Sequence, residues 1–456
     1  MSSFSNKIKI LRLECMLVIA IAPFLLFPTV RPLWTAMALA ALGGWWLLRW
    51  AVCREPWPVT SFNCALLLFT IMTGVGILVS INHSLTLPKA TGLILGLAIF
   101  RAFAFELSDQ RGLLWGIVAF LIVGLIILIV GALSVEWKRT IHLLEPALKG
   151  IPRLIKRLPE LRGEAVHPNQ LAGAMAFYVP FTFSLSFQQF KSENLILYAL
   201  YKLGNWIILV LFSITLVLTQ SRSGWIGGVL GVVAFMALRV ITLPPSLEKW
   251  VMGLGMIMLT VTVLIGGFLL GPERLWKIWE EPPLQTPVGP LGTLQFRQEV
   301  WRWAIVSIND FPITGCGLGT FREVARLLYP LDPYSVPWSM DIAHAHNIFL
   351  QTALDLGIPG LVAYLALVGI ALAACWQVAV KGDRGERAIA LGLAGSLIAL
   401  HAYGMTDALA LGSKPAVAFW FALGIVGGME RRLHPPNRSD FAAAHPFSYR
   451  SYHVKG

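Results

Sequence analysis

Apolar stretches of membrane-spanning length recur along this chain from one end to the other. A helix needs about 20 apolar residues to cross about 30 Å of hydrocarbon at roughly 1.5 Å per residue. The sequence is 56% hydrophobic and 13% charged, whereas soluble domains contain about 25% charged residues. Because lipid offers no hydrogen-bond partners, each stretch must satisfy its own backbone polar groups, as a helix does. We therefore predict an all-α, polytopic membrane protein.

The apolar periodicity predicts a transmembrane helical bundle of about twelve spans, with a large periplasmic helical loop between spans 9 and 10. The predicted spans are 14–31, 33–50, 60–80, 86–106, 112–135, 168–188, 204–220, 223–242, 250–270, 347–378, 387–407 and 414–430. The predicted segments are 1–135 (first five helices), 136–167 (basic periplasmic interfacial segment), 168–270 (helices 6–9), 271–346 (large periplasmic loop), 347–430 (helices 10–12) and 431–456 (cytoplasmic tail).

The net charge of +12 is compatible with nucleic-acid binding, but the basic residues lie mostly in short loops beside apolar spans. That distribution is typical of membrane orientation, because cytoplasmic loops are enriched in Lys and Arg. We therefore expect no nucleic-acid partner, and we place both termini on the cytoplasmic side of the membrane. The basic residues that set this orientation all fall on one side of the membrane; they are Lys7, Lys9, Arg12, Arg49, Arg54, Lys381, Arg384, Arg387, Arg431 and Arg432.

The segment between the fifth and sixth spans is basic although this orientation places it outside. Its basic residues are Lys138, Arg139, Lys149, Arg153, Lys156, Arg157 and Arg162. Apolar residues recur every three or four positions at Ile151, Leu154, Ile155, Leu158 and Leu161. This pattern predicts an amphipathic helix lying in the membrane interface. Such a helix could bind membrane lipids only, or it could guide an anionic substrate.

The longest hydrophilic region runs from 271 to 346, and loops beyond about 15 residues are usually functional or disordered. Within it, Phe296, Val300, Trp303, Ala304 and Ile308 have the spacing of an amphipathic helix. Pro312 and the glycines 315, 317 and 319 follow, which predicts a tight turn after that helix. The run GCGLGTF resembles a dinucleotide fingerprint, but no βαβ unit surrounds it, and we exclude that interpretation.

Two arginines are candidates for binding a diphosphate. Arg222 follows Ser221 in a very short turn between two spans, which restricts its side chain to the membrane surface. A guanidinium group offers five donors in a planar fork and does not lose its charge. Arg297 lies on the predicted loop helix, with Arg302 further along it. Contact with lipid headgroups for Arg222, and a solvated helix face for Arg297, remain alternatives.

The sequence HAHN before the tenth span contributes His344, His346 and Asn347. Imidazole titrates near neutral pH, so this pair could bind a metal ion or transfer protons. The loop carboxylates Asp310, Asp332 and Asp341 are well separated in sequence, and the five cysteines form no CxxC pair. We therefore expect no metal and no cofactor. Weaker candidates are Asn169, which could equally cap a helix, and His401 with Asp407.

Several motifs together resemble the O-antigen ligase and polymerase family. They are TQSRSGWIGG, FRQEVWRWA followed by P-x-x-G-x-G-x-G-x-F, and AHAHNIFLQTALDLGIPGL, within residues 165–410. The resemblance implies a polytopic inner-membrane glycosyltransferase that takes a glycan from undecaprenyl diphosphate. It implies transfer at the periplasmic face to a lipid A core acceptor, with inversion and without a metal.

The resemblance also implies roles for individual residues. It places the family's diphosphate-binding arginines at Arg222 and Arg297, and the histidine that acts as a general base or orients the acceptor at His346. His344 matches a more variable position of the family. Alternatives within the enzyme class are a polysaccharide polymerase and a ligase that glycosylates a protein.

Some relatives are labelled bicarbonate transporters, which gives an alternative from another functional class. Ion-coupled transporters usually place charged residues deep within their helices and often contain inverted repeats. Here Lys89, Arg101 and Glu106 are predicted near span ends, and the sequence shows no such repeat. We therefore regard transport as the less favoured hypothesis.

Overall fold

The structure is a computed structural model that describes residues 2–53, 57–107, 110–137, 144–156, 166–188, 195–280, 294–329 and 342–435. Its regular elements in these ranges are all helices, which confirms the all-α prediction. The first are α1 (Ser2–Leu26), α2 (Pro32–Cys53), α3 (Asn63–Leu78), α4 (His83–Glu106), α5 (Gln110–Ser134), α6 (Glu145–Lys149) and α7 (Pro168–Leu185). The others are α8 (Leu195–Leu218), α9 (Arg222–Thr242), α10 (Leu247–Glu280), α11 (Leu294–Asp310), α12 (Phe321–Leu328), α13 (Ile348–Lys381), α14 (Arg384–Gly404) and α15 (Val417–Leu433).

Eight helices in the described residues are long and apolar enough to cross a membrane. They are Pro32–Val52, His83–Glu106, Gly112–Ser134, Tyr198–Leu218, Arg222–Thr242, Leu247–Gly266, Ile348–Lys381 and Arg384–Gly404, and two shorter apolar helices are Leu13–Leu26 and Asn63–Leu78. These apolar helices are typical of a membrane protein. Every predicted span coincides with a helix, but the total of about twelve spans stays a prediction.

Helices α7, α9 and α14 form the tightly packed centre of the bundle. A Cβ atom added to Gly231 of α9 would lie 2.7 Å from the carbonyl oxygen of Gly395 of α14, and one added to Gly395 would lie 2.7 Å from that of Gly231. Glycine therefore lets the two backbones approach closely, as small residues do in membrane helices. Pro180 of α7 contacts the same place. This packing fixes the relative positions of the helix ends that carry polar residues.

Helix α13 is broken at Gly357, which has a φ of 70°. The predicted span 347–378 coincides with this helix, which is long and apolar enough to cross a membrane, but the break within it was not predicted. The break receives the turn at 312–319: a Cβ atom at Gly357 would lie only 2.1 Å from the carbonyl oxygen of Ile313. The amide of Cys316 also donates a 2.8 Å hydrogen bond to the carbonyl of Leu354. The turn thus fills the gap between the two halves of α13.

The turn itself follows the prediction from its glycines. Gly315, Gly317 and Gly319 have φ values of 68°, 100° and 79°, a region that favours glycine. The amide of Leu318 donates a 2.9 Å hydrogen bond to the carbonyl of Gly76 in α3. The predicted amphipathic loop helix is also confirmed, as α11. The turn therefore attaches α11 and α12 to one end of the bundle. Helices α3 and α14 terminate at this end and α7, α9 and α13 begin there; we call it the histidine end.

The basic segment after α5 differs from its prediction. Residues 152–156 form no helix, and the helix nearby is the short α6. Arg153 instead forms a 2.7 Å ion pair with Glu136, and the amide of Ile155 donates to the carbonyl of Leu133 at 3.0 Å. These contacts hold residues 152–156 in an irregular conformation along the end of α5. Residues outside the described ranges include 138–143 and 157–165, with Leu158, Leu161, Arg157 and Arg162, and also 281–293, 330–341 and 436–456.

A buried ion cluster joins α1, α2 and α4 at the end opposite the histidine end. The Glu14 carboxylate forms ion pairs with both Arg49 and Arg101. Arg101 is completely buried, and the Arg49 guanidinium stacks 3.7 Å from the Phe105 ring centre. Buried charges require partners of this kind. Arg101 therefore lies near the end of its helix, as predicted, but within a buried ion pair.

Candidate active site

The two histidines lie in a loop that is anchored by buried neighbours. Ile342 and Ala345 are fully buried and belong to a small core with Phe296 and Val300 of α11 and Phe321 of α12. The histidines are interleaved with these anchors along the chain, and each is only partly buried. The loop helices α11 and α12 therefore build the wall that fixes the histidine loop against the bundle.

Asn347, predicted as a supporting residue, joins this loop to two helices. Its side-chain oxygen accepts hydrogen bonds from the amides of Phe349 and Leu350, at 2.9 and 3.0 Å, and so caps the start of α13. Its side-chain nitrogen donates a 3.0 Å hydrogen bond to the carbonyl of Met405, just after α14. Asn347 thus positions the loop rather than facing the cluster described next.

The carboxylate of Asp407 is the centre around which the candidate residues gather. Its Oδ1 lies 3.6 Å from Nδ1 of His346 and 3.9 Å from Nε2 of His344. Its Oδ2 lies 3.9 Å from Nη2 of Arg297. Asp407 is only 2% exposed. Asp407 was only a weaker candidate in the sequence analysis, yet it contacts residues from α11 and from the histidine loop. Arg297, His344, His346 and Asp407 are here called the Asp407 cluster.

Asn169 belongs to this site as well. Its Nδ2 donates a 2.7 Å hydrogen bond to Oδ2 of Asp407. Its backbone carbonyl accepts a 2.8 Å hydrogen bond from the hydroxyl of Tyr403. The alternative role as a helix cap is filled by His167, whose Nδ1 accepts from the amide of Asn169 at 3.2 Å. Asn169 therefore orients the carboxylate.

The protonation of the cluster follows from its contacts. Nδ1 of His344 accepts a 3.1 Å hydrogen bond from the amide of His346, so in neutral His344 the proton is on Nε2, which faces Asp407. Burial and the neighbouring His346 hold the pKa of His344 well below its ordinary value. Burial favours protonated Asp407, but His346, His344 and Arg297 outweigh it and hold the pKa of Asp407 far below its ordinary range. The site therefore contains a carboxylate and a neutral His344 at neutral pH.

Polar atoms of two cluster residues are buried without a hydrogen-bond partner among the described residues. They are Nδ1 of His346 and Nε of Arg297. Leaving a buried donor or acceptor unpaired costs about 1–3 kcal/mol, so such atoms usually have a functional explanation. The Phe296 ring packs edge-on to the His346 imidazole, with 5.8 Å between ring centres. Nδ1 of His346 faces the Asp407 carboxylate at 3.6 Å, so a small movement would pair these two groups.

Arg222 begins α9, and Ser221 caps that helix by accepting a 3.4 Å hydrogen bond from the amide of Gly224. A Cβ atom at Gly224 would lie 2.7 Å from the side chain of Ala172 in α7. The first turn of α9 therefore lies beside the first turn of α7, where Asn169 is found. Arg222 is thereby placed, partly exposed, at the histidine end of the bundle.

The structure separates Arg302 and His401 from the Asp407 cluster. The Arg302 side chain is 77% exposed, and its Nη1 lies 3.9 Å from Glu299 on the same helix. His401 lies within the bundle, where its Nε2 is 2.7 Å from the Tyr364 hydroxyl and its Nδ1 is 2.6 Å from the carbonyl of Leu397. Arg302 therefore has the environment of a solvated charge, and His401 that of an interhelical hydrogen-bonding residue.

The geometry could also accommodate a metal ion. Ligand atoms of His344, His346 and Asp407 all lie within 4.8 Å of one another, and imidazole and carboxylate are common ligands of transition metals. Two neighbours oppose such binding: Asn169 donates to one carboxylate oxygen, and Arg297 places a positive charge near it. The loop aspartates Asp332 and Asp341 lie outside the described residues.

A comparison with known families adds independent evidence. The model of the family described as O-antigen ligase matches residues 207–365, which run from α8 into α13 and carry Arg222, Arg297, His344 and His346. No curated protein matches the chain. The match is narrower than the predicted resemblance, and Asn169 and Asp407 lie outside it. It nevertheless supports that resemblance: over residues 207–365 this chain is similar to the O-antigen ligase family.

Proposed function

We propose that this protein transfers a glycan from undecaprenyl diphosphate to a lipid A core acceptor. The reaction takes place at the periplasmic face of a bacterial inner membrane, with both termini in the cytoplasm. The observation that carries this proposal is the Asp407 cluster, because it joins a fixed cation, a carboxylate and two imidazoles at one end of an apolar bundle.

His346 has the surroundings of a general base. The Asp407 carboxylate lies 3.6 Å from its Nδ1, a separation that a small movement reduces to a hydrogen bond when the substrate binds. A carboxylate on one ring nitrogen orients the imidazole and stabilises its protonated form. Nε2, on the other side of the ring, then accepts the proton of the acceptor hydroxyl.

The arginines act on the leaving group. Transfer releases undecaprenyl diphosphate, on which negative charge increases as the glycosidic bond breaks. The permanently charged guanidinium group of Arg297 lies 3.9 Å from Asp407, and Arg222 begins a neighbouring helix at the same end of the bundle. Fixed cations in a site with little water stabilise such charge strongly. These two residues therefore bind the diphosphate of the donor.

The reaction is a single displacement. The acceptor oxygen forms a bond to the anomeric carbon while the bond from that carbon to the diphosphate oxygen breaks, and its electron pair leaves with the diphosphate. The acceptor proton moves to His346 Nε2. Attack opposite the leaving group inverts the anomeric centre. No metal enters this scheme, since Arg297 and Arg222 supply the positive charge.

The runner-up proposals use the same site. A polymerase would join one lipid-linked repeat unit to another, and a protein ligase would transfer the glycan to a side-chain hydroxyl. Only the molecule that enters beside His346 differs. A transporter is less favoured because the buried charges Glu14, Arg49 and Arg101 are paired with one another at the end of the bundle opposite the histidine end.

The decisive experiment is glycan transfer by the purified protein in detergent, from an undecaprenyl-diphosphate donor to a lipid A core acceptor. His346→Ala is compared with His83→Ala, which alters an exposed histidine at the start of α4. Wild type is also assayed after EDTA treatment and after adding Zn²⁺. We expect transfer by wild type, EDTA-treated wild type and His83→Ala, and none by His346→Ala. We expect added Zn²⁺ to leave transfer unchanged, because Arg297 and the Asn169 hydrogen bond oppose metal binding at the Asp407 cluster.

Other outcomes have defined meanings. Loss of transfer after EDTA treatment, with recovery on adding a metal, contradicts the metal-free scheme and favours a metal held by the histidines. If wild type transfers nothing to lipid A core, donor-to-donor polymerisation is tested next. Failure of that reaction too would remove glycan transfer and make solute transport the hypothesis to examine.

A further inference from the structure

The backbone of the second histidine has an unusual conformation. His346 has a φ of 49°, a value that residues other than glycine seldom adopt. Residues in such conformations persist only when their surroundings hold them in place. Since the orientation of His346 depends on this turn, the groups that hold the turn also determine where its imidazole lies.

The amide that lies between the histidines has a buried partner. The amide of Ala345 donates a 2.8 Å hydrogen bond to Oε1 of Gln351. Gln351 is 2% exposed and lies in the first turn of α13. Its other side-chain atom, Nε2, donates a 2.9 Å hydrogen bond to Oδ1 of Asp355. The Gln351 amide therefore connects the histidine loop to a carboxylate one turn further along the helix.

The Asp355 carboxylate is held from two other sides. Its Oδ1 accepts a 2.9 Å hydrogen bond from the amide of Gly319, in the turn that enters the break of α13. Its Oδ2 lies 3.3 Å from Nζ of Lys89 on α4. Asp355 thus joins α4, the glycine turn and α13, and this junction cannot move without moving Gln351.

These contacts fix the direction of the Gln351 amide. An amide flipped by half a turn would point its oxygen at the Asp355 carboxylate and its NH₂ group at the Ala345 N–H, so both contacts would become repulsive. The side chain therefore has one favourable orientation. In that orientation its oxygen accepts a hydrogen bond from the amide of Ala345, the residue between His344 and His346.

We propose that Gln351 and Asp355 are positioning residues that hold the turn between His344 and His346 in its active conformation. The expected effect on kcat rests on the proposed function, whereas the effect on the turn is measured separately by hydrogen exchange. Neither side chain is assigned a contact with the transferred group. They act through the Ala345 peptide, and they couple the histidines to the glycine turn and to Lys89.

The test replaces Gln351 by methionine, which has a similar shape and cannot make either hydrogen bond. The matched control is Thr352→Val: Thr352 is the next residue, is equally buried, and loses only a 2.7 Å hydrogen bond to Ile348 within its own helix. The full-length proteins are purified, and kcat, the KM for the undecaprenyl-diphosphate donor and the hydrogen exchange of residues 343–350 are measured.

For Gln351→Met we expect a fall in kcat of about 10²-fold, because small displacements of a catalytic group reduce rates by that order. The donor KM should remain within about twofold of wild type, since the arginines are untouched, and the Ala345 amide should exchange faster. Thr352→Val should match wild type in all of these measurements. If Gln351→Met does not fold, Asp355→Ala provides the second test: it removes the acceptor of the Gln351 Nε2 hydrogen bond and should shift kcat and Ala345 exchange in the same direction.

Two results would overturn the inference. One is a kcat for Gln351→Met equal to that of Thr352→Val, and the other is unchanged exchange at Ala345. A wild type that transfers no glycan would remove the proposed function instead. In that case the exchange of the Ala345 amide alone decides whether Gln351 holds the turn.

Discussion

Asn169 donates a 2.7 Å hydrogen bond to Asp407 from a position 238 residues earlier in the chain. The bond joins the first turn of α7 to the segment that follows α14. It occupies one carboxylate oxygen, Oδ2, and leaves the other, Oδ1, directed at the two histidines. Asn169 therefore determines which face of the carboxylate is presented to His346.

Asp407→Asn should reduce glycan transfer by about 10²–10⁴-fold, because a neutral amide neither orients His346 nor stabilises its protonated form. The control is Asp383→Asn at the opposite end of the bundle, where Asp383 caps α14. Asn caps helices about as well as Asp, so this variant should retain full activity. Initial transfer rates of the purified variants provide the measurement. Equal rates for the two variants would contradict the role of Asp407.

Arg297→Ala and Arg222→Ala should abolish transfer while the protein remains folded, because both side chains are assigned to the diphosphate. Arg302→Ala, on the exposed face of α11, should behave like wild type. Transfer assays and thermal melting of the detergent-solubilised proteins distinguish lost activity from lost folding. Activity close to wild type in either of the first two variants would remove that arginine from the site.

The stability of the protein should depend on pH through His344. Its pKa in the folded protein lies well below the ordinary value of about 6.5. Between these two values the unfolded chain binds more protons than the folded one. The free energy of unfolding therefore falls as pH drops below about 6.5, by at most about 1.4 kcal/mol per pH unit from this group.

His344→Asn should remove that contribution. Melting temperatures measured from pH 7.5 to 5.5 should fall less steeply for this variant than for wild type. His83→Asn, at an exposed histidine, serves as the control and should follow wild type. Parallel curves for all three proteins would show that His344 has no depressed pKa.

Gly357→Ala should destabilise the fold severely. Its φ of 70° disfavours any side chain, and the added Cβ atom would lie 2.1 Å from the carbonyl oxygen of Ile313. Backbone strain alone accounts for about 1–3 kcal/mol, and the clash adds to it. Gly369→Ala is the matched control in the same helix, because nothing lies within 4 Å of a Cβ atom there. Yield of folded protein and melting temperature should fall for Gly357→Ala only.

Much of the fold could be predicted from the sequence because membrane helices are selected by local hydropathy. Each expected span coincides with a helix, and the spacing of Phe296, Val300 and Trp303 located α11. Hydropathy alone did not predict the break at Gly357. The sequence does contain a local signal for it, because Pro359 follows Gly357 by two residues and a proline ends or kinks a helix. What only the structure shows is that the 312–319 turn fills the gap.

The candidate site was predictable in part for a related reason. His344, His346 and Arg297 stand in motifs whose residue types indicate proton transfer and anion binding. Asp407 and Asn169 stand alone in apolar surroundings, where a capping or structural role is equally plausible. Their importance depends on a contact between distant segments, α7 and the end of α14. At residues 152–156 the sequence predicted a helix that the structure does not contain. The apolar spacing there is helical, but Arg153 pairs with Glu136 and the Ile155 amide donates to Leu133 of α5 instead.

The position of Asp407 has a consequence for biosynthesis. All of its partners in the cluster precede it in the chain, and synthesis proceeds from the N-terminus. The arginines and histidines can therefore be inserted and packed before the carboxylate that orients His346 has been made. A chain interrupted before residue 407 would contain both arginines and both histidines but not the carboxylate beside His346. Under the proposed function, the site therefore becomes complete only when the segment between α14 and α15 has been made.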